Sequence, residues 1–174
     1  MKRLSILITA ILLAFTVHAQ IEKGEFQVGA AGLPVIYPGS GGLLGHAFKA
    51  NVGYSPFSNF VVGVQPFTGK VNDVTTVGLS LYARQYLTKT KLSPFIEGGV
   101  GVGKLKYGGG DKYKGTLSTL NLGAGAQYKV TDRIGIELSV QYARLQNISS
   151  TINARARHAL IPTLGVQYTF GKKK

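Results

Sequence analysis

The sequence predicts an all-β chain closed as an eight-stranded antiparallel up-and-down transmembrane β-barrel, and three observations carry that expectation. Apolar residues recur with a period of two through most of the chain, and no segment sustains a helical period. The face opposite them is built from Gly, Ser, Thr, Asn and Gln with few charges, the composition of a narrow lumen and not of a solvated exterior. Mean hydropathy is positive, +0.12, with only 16% charged residues, although the chain has 24 glycines, which interrupt almost every would-be helix beyond residue 19. That balance excludes intrinsic disorder. A length of 174 residues fits one domain. The absence of cysteine excludes disulfide scaffolds, thiol catalysis and thiolate metal sites.

The first element is not part of the barrel. Lys2 and Arg3 precede an apolar run from Leu4 to Val17, and Val17-His18-Ala19 places small residues where a signal peptidase reads, which predicts a cleavable signal over 1–19 and a barrel domain over 20–174. The run is too short for a helix that crosses a bilayer, which needs about 20 residues. Removing 19 of 174 residues leaves 155 and takes away two basic residues and no carboxylate, so the net charge falls from +13 to +11.

Eight strands follow. The weakest is Phe26, Val28 and Ala30 against Gln27 and Gly29. Phe48, Ala50, Val52 and Tyr54 alternate with Lys49, Asn51, Gly53 and Ser55; Phe60, Val62 and Val64 with Val61, Gly63 and Gln65; Val77, Leu79, Leu81 and Ala83 with Gly78, Ser80, Tyr82 and Arg84. Ile96, Val100 and Val102 face away from Glu97, Gly99, Gly101 and Gly103. The last three are the clearest: Leu120 to Val130, Ile134 to Tyr142, and Leu160 to Phe170.

Connections predicted short (Pro56–Ser58, Leu87–Leu92, Thr131-Asp132) alternate strictly with connections predicted long (Pro34–His46, Phe67–Thr75, Tyr107–Gly115, Leu145–Arg157), which puts all long loops at one end and both termini at the other. Pro66 and Pro162 fall inside strand patterns, where each removes a ladder donor, and are expected at bulges or frayed rims.

Alternation alone also fits a secreted soluble barrel holding a small apolar ligand. Aromatic placement favours the membrane. Tyr54, Phe60, Tyr128, Tyr168 and Phe170 gather near the short-turn end, with Phe48 and Tyr142 near the other, as two interfacial girdles would. The signal segment, the eight alternating strands, turns such as Thr131-Asp132 and the terminal Leu164-Gly165-Val166-Gln167-Tyr168-Thr169-Phe170 together resemble the small outer-membrane β-barrel proteins of the OmpA/OmpX-like porin group. That resemblance implies a Gram-negative outer membrane, periplasmic termini, a monomer and a non-enzymatic role in envelope structure, surface interaction or limited passage of solutes. It also implies an assembly signal at Tyr168 and Phe170 read by the outer-membrane assembly machinery, although Gly171 and three lysines follow here.

Candidate functional residues form two groups. Arg84, Glu97 and Glu137 fall on the lumen face, with Arg84 and Glu97 nearly symmetric about one short turn. They are read as an ion-pair cluster with Tyr82, Gln127 and Gln141, and alternatively as a gate in a conductance path. Lys104, Lys106, Lys112, Lys114, Arg144, Arg155 and Arg157 crowd the long-loop end and, the Arg144 position aside, are the main candidates to contact outer-membrane lipids and lipopolysaccharide; the alternative is a merely solvated rim.

No other chemistry emerges. His46 and His158 with Ser40, Ser149 and Ser150 match no catalytic spacing, so a lipid A-modifying enzyme is the less favoured alternative. The glycine runs at 98–103 and 108–110 lack the lysine and the following helix of a phosphate loop. No metal site or cofactor is expected, and the signal segment argues against nucleic acid as the partner of this basic chain.

Overall fold

The computed structural model describes residues 21–36, 44–71, 74–107, 113–147 and 157–171. These form β1 (Phe26–Ile36), β2 (Leu44–Phe57), β3 (Phe60–Val71), β4 (Val74–Tyr86), β5 (Leu92–Tyr107), β6 (Tyr113–Lys129), β7 (Ile134–Asn147) and β8 (Arg157–Phe170), each antiparallel to its neighbours and closed into one barrel by pairing of β1 with β8.

The register defines the barrel's dimensions. From Phe26 the paired positions run through Tyr54, Val62, Ala83, Gly98, Leu122, Tyr142 and Leu160, and return to β1 at Ile36, ten residues further along. A stagger of ten over eight strands, at ~3.3 Å per residue and ~4.8 Å between strands, sets a tilt of about 40° and a backbone radius of about 8 Å. An interior that narrow is one that side chains can fill.

The two faces are the reverse of a soluble protein's. Val52, Val64, Leu79, Leu81, Ile96, Val100, Leu122, Leu138, Leu164 and Val166 point outward and keep between 39% and 62% of their surface bare, whereas Gln27, Asn51, Ser80, Arg84, Glu97, Gln127, Glu137, Gln141 and Gln167 point inward and are buried. An exterior of this kind is stable only against lipid, and closure leaves no unpaired sheet edge in it. The soluble ligand-binding barrel is thereby excluded. Phe26, Tyr54, Phe57, Tyr128, Tyr168 and Phe170 ring the short-turn end, with Phe26 5.1 Å from Tyr54 and 5.7 Å from Phe170 between ring centroids.

The strict alternation of short and long connections does not hold. β3 and β4 remain paired to Val71 opposite Val74, so within the connection expected over Phe67–Thr75 the described residues, 67–71 and 74–75, are strand. Lys70, Thr75 and Thr76 made this stretch look like a loop by composition, but polar residues belong on strands that rise beyond the hydrocarbon zone. Each of the two prolines interrupts one ladder, but neither sits at a bulge or a frayed rim. Pro66 lies opposite Leu79 in an unbroken β3–β4 ladder and is skipped in the β2–β3 pairing, whose register is the same on either side; Pro162 lies opposite Val140 and is skipped in the β1–β8 pairing in the same way. The bulge lies instead between Tyr54 and Phe57, next to a turn in which Asn59 takes a left-handed φ of 64°.

Inward glycines are slots for their neighbours. A Cβ at Gly29 would fall on the Gln167 amide, one at Gly135 on the Gln127 amide, and one at Gly63 within 2.1 Å of the Val52 carbonyl oxygen. The last clash is with backbone and cannot be relieved by a rotamer. Gly63→Val is therefore expected to destabilise the barrel by about 1–3 kcal/mol, read as a lower urea midpoint in lipid vesicles.

Candidate functional site

The lower half of the lumen holds a buried charge network centred on Arg84. The register that sets Arg84 opposite Glu97 on adjacent strands brings the pair into contact: the guanidinium donates to Glu97 Oε2 from Nε at 2.8 Å and from Nη2 at 2.6 Å. From across the barrel Glu137 Oε2 accepts from Arg84 Nη1 at 2.6 Å. Lys49 Nζ stands 3.5 Å from Glu97 Oε1, so two cations balance two carboxylates. This balance is what makes burial tolerable, because an isolated ion at such a depth would have to shed its charge or draw in water.

Neutral groups complete the network. Gln141 Nε2 donates to Glu97 Oε1. Gln167 Nε2 donates to Glu137 Oε2 at 2.9 Å and to Asn51 Oδ1 at 3.0 Å, and Asn51 returns a bond to Gln167 Oε1 at 3.0 Å. The Tyr86 hydroxyl accepts from Gln27 at 2.9 Å and donates to Gln127 Oε1 at 2.5 Å. The Arg84 guanidinium lies 4.1 Å from the centre of the Phe95 ring, a cation–π contact that shields its remaining face.

Toward the short-turn end Ile21, Val61, Tyr86 and Phe95 pack together with Tyr82 against the network. Ile21 precedes β1 and is fully buried there, its carbonyl accepting from Asn59 N–H at 3.0 Å while Gly24 N–H donates to Ser55 O at 2.8 Å. Above the network, Ala143 and Ala159 are buried, with Ala47 and Ile161 packed against them. Apolar packing is thus local at both ends, and buried polar groups run past it: Gln27 and Gln127 bond Tyr86 toward the short-turn end, and Asn121, Ser80 and Thr119 form a hydrogen-bonded series above the charged layer.

The structure therefore brings Arg84, Glu97 and Glu137 together with Gln127 and Gln141 in one network. Tyr82 touches it through Asn51, 3.4 Å away. Sequence reasoning passed over Lys49, Tyr86 and Gln167 as members. Parity was the available signal: Lys49 alternates with Phe48 and Ala50, Tyr86 follows Tyr82 and Arg84, and Gln167 alternates with Val166 and Tyr168.

The basic rim is less gathered. Lys104 and Lys106 are exposed on the outer wall of β5, and Lys114 and Arg157 occupy ladder positions opposite Lys106 and Leu145. Lys112 and Arg155 lie outside the described residues, as do Ser40, Ser149, Ser150 and the signal segment 1–19. Four further residues join Lys104 at the same level: His46, Lys70, Arg144 and His158 all point outward, His46 opposite Lys70 and Arg144 opposite His158. At about 2.5 Å of height per tilted residue, this belt stands about 25 Å above the lower aromatic ring, the height of an apolar barrel band. His46 packs on Phe48, their centroids 6.1 Å apart, and His158 stacks on Tyr142, whose hydroxyl is hydrogen-bonded to Nδ1. Both histidines thus belong to the wall and not to a lumen site. Tyr168 and Phe170 also face outward, stacked 6.1 Å apart at the short-turn end.

Comparison with solved structures places the fold. Neisserial surface protein A is 17% identical with a TM-score of 0.70, over 85% of this chain and all of that one. The N-terminal β-barrel domain of Pseudomonas aeruginosa OprF is 16% identical with a TM-score of 0.64, over 85% of this chain and 98% of that domain. No family model matches the sequence, and no curated protein does. The chain has the closed eight-stranded fold of small outer-membrane barrels.

Proposed function

We propose that this chain is a sealed wall protein of a Gram-negative outer membrane, exported by cleavage of residues 1–19 and handed to the membrane by the assembly machinery through its terminal Tyr168 and Phe170. It acts through its outer surface and not as a pore or an enzyme. The observation that carries this reading is the filled lumen: ion-paired and hydrogen-bonded side chains occupy an interior with a backbone radius of about 8 Å. Purified protein in planar bilayers is expected to show no steady conductance above baseline. Long-lived open currents of uniform size would overturn the sealed-barrel reading.

The outer surface offers cations at the level of lipid phosphates, and lipopolysaccharide is the natural partner for them. Each exposed cation near an anionic surface contributes about 1 kcal/mol, so neutralising two of them should weaken binding roughly 30-fold. Lys70→Gln with Arg144→Gln, both outward and outside the lumen network, is expected to produce a loss of that size in lipopolysaccharide affinity measured in detergent, with unchanged heat-modifiable migration on gels. An unaltered affinity would leave the rim as a solvated one.

A further inference from the structure

Charge is unevenly spread around the short-turn rim. Where β5, β6 and β7 reach it, their connections carry Lys89, Lys91, Lys129 and Arg133, with Asp132 the one carboxylate among the described residues of that sector. Across the rim, the segment before β1 lies against the end of β2 and the β2–β3 turn, and it carries Glu22, Lys23 and Glu25. The rim is cationic on one side only.

Neither basic turn is a loose loop. In the β4–β5 connection the hydroxyls are turned in on the turn itself. Thr90 Oγ1 donates to Leu92 O at 2.5 Å, Thr88 Oγ1 lies 3.2 Å from Thr90 Oγ1, and the buried Ser93 hydroxyl is 3.0 Å and 2.9 Å from the carbonyl oxygens of Thr88 and Thr90. Lys89 and Lys91 alternate with these threonines and are exposed. In the β6–β7 connection Thr131 Oγ1 accepts from the N–H groups of Arg133 at 3.2 Å and Ile134 at 2.9 Å. The two turns are joined through β6, whose Lys129 N–H donates to Lys91 O at 2.7 Å. With strands about 4.8 Å apart, the backbone that carries these cations spans only about 10 Å from β5 to β7. Cations held on ordered turns lose little freedom when they bind an anion.

Position selects the anion. Leu92, Tyr128 and Ile134 are exposed on the outer wall next to these turns, and Arg133 Nη1 reaches to 3.5 Å from the Tyr168 hydroxyl on the same wall. Tyrosines of an interfacial ring lie at headgroup level. Cations fixed beside them meet lipid phosphates before any polymer in the aqueous space beyond. A zwitterionic headgroup already neutralises its own phosphate, whereas an anionic one leaves that charge to the protein.

We propose that the β5–β7 sector of the short-turn rim is a binding site for an anionic phospholipid of the phosphatidylglycerol type, its phosphate held by Lys89, Lys91 and Arg133. The site lies at the opposite end of the barrel from the cationic belt and does not depend on lipopolysaccharide binding there.

The test uses the whole mature protein in phosphatidylcholine vesicles at low salt, doped in turn with phosphatidylglycerol and phosphatidylcholine that carry a diazirine on the acyl chain beside the ester. Mass spectrometry reads the ratio of phosphatidylglycerol to phosphatidylcholine adducts at Leu92, Tyr128 and Ile134, and again at Tyr54 and Phe57 across the same rim. The first ratio should exceed the second about tenfold. Lys89→Gln with Lys91→Gln and Arg133→Gln should make the two equal. Equal ratios in the parent protein would overturn the inference, as would an excess that survives the triple change. An excess lost when the chain is ended at Gly171 would move the site to the three terminal lysines and overturn it too. So would an excess abolished by soluble muropeptides, which would assign the sector to peptidoglycan. Heat-modifiable migration establishes that each variant is folded. If the triple variant is not, Arg133→Gln alone, expected to reduce the excess several-fold, is read in its place.

Discussion

Replacing Arg84 by leucine is expected to cost the barrel about 3–5 kcal/mol, because it removes the partner shared by two buried carboxylates. Glu137 would be the more affected. Its Oε1 has no hydrogen-bond partner and its Oε2 would keep only the Gln167 amide, whereas Glu97 would retain Lys49 and Gln141. The loss should appear as a lower urea midpoint in lipid vesicles and a reduced heat-modifiable fraction on gels. The mechanism makes a second demand. Adding Glu137→Gln to Arg84→Leu removes the orphaned carboxylate and keeps the Lys49–Glu97 pair, and the double variant should recover at least half of the lost stability. If Arg84→Leu alone stays within about 1 kcal/mol of the parent, the network does not hold the lumen together.

Arginine at position 164 should be about as damaging for a different reason. Leu164 points into lipid close to mid-barrel, midway between the lower aromatic ring and the basic belt, and a cation there costs about 2–4 kcal/mol near the midplane. Its neighbour Thr163 points the other way and shares a 2.7 Å hydrogen bond with Ser139. Thr163→Val should therefore lose only about 1 kcal/mol, one hydrogen bond at roughly constant volume. The comparison is made in the same vesicles by reversible urea unfolding. Equal, small effects at 163 and 164 would contradict the assignment of the two faces.

Much of this architecture was legible because a strand between lipid and lumen repeats the same decision every second residue. From Ile134 to Tyr142 the outward series is uninterrupted, and its parity alone sets Glu137 and Gln141 inside. What the sequence concealed has identifiable causes. β3 and β4 continue past the membrane, where Lys70, Thr75 and Thr76 carry no apolar rhythm, so paired strand looked like loop. Lys49 was visible on the inner face, but its partner Glu97 is 48 residues away, and no local spacing connects them. Arg84 and Glu97, only 13 residues apart around one turn, were within reach of a cross-strand argument. His46 and His158 drew attention as possible catalysts, since the pairing that shows them to be wall residues is a property of the closed barrel.

Ile21 carries a consequence for chronology. Its side chain rests against Val61, Tyr82, Tyr86 and Phe95, contributed by β3, β4 and β5, and its carbonyl is held by Asn59 in the turn between β2 and β3. None of those surfaces exists until the middle of the chain has paired. The residue that leaves the ribosome before every strand is thus among the last to find its place, a stopper that can be set only after the vessel has been made.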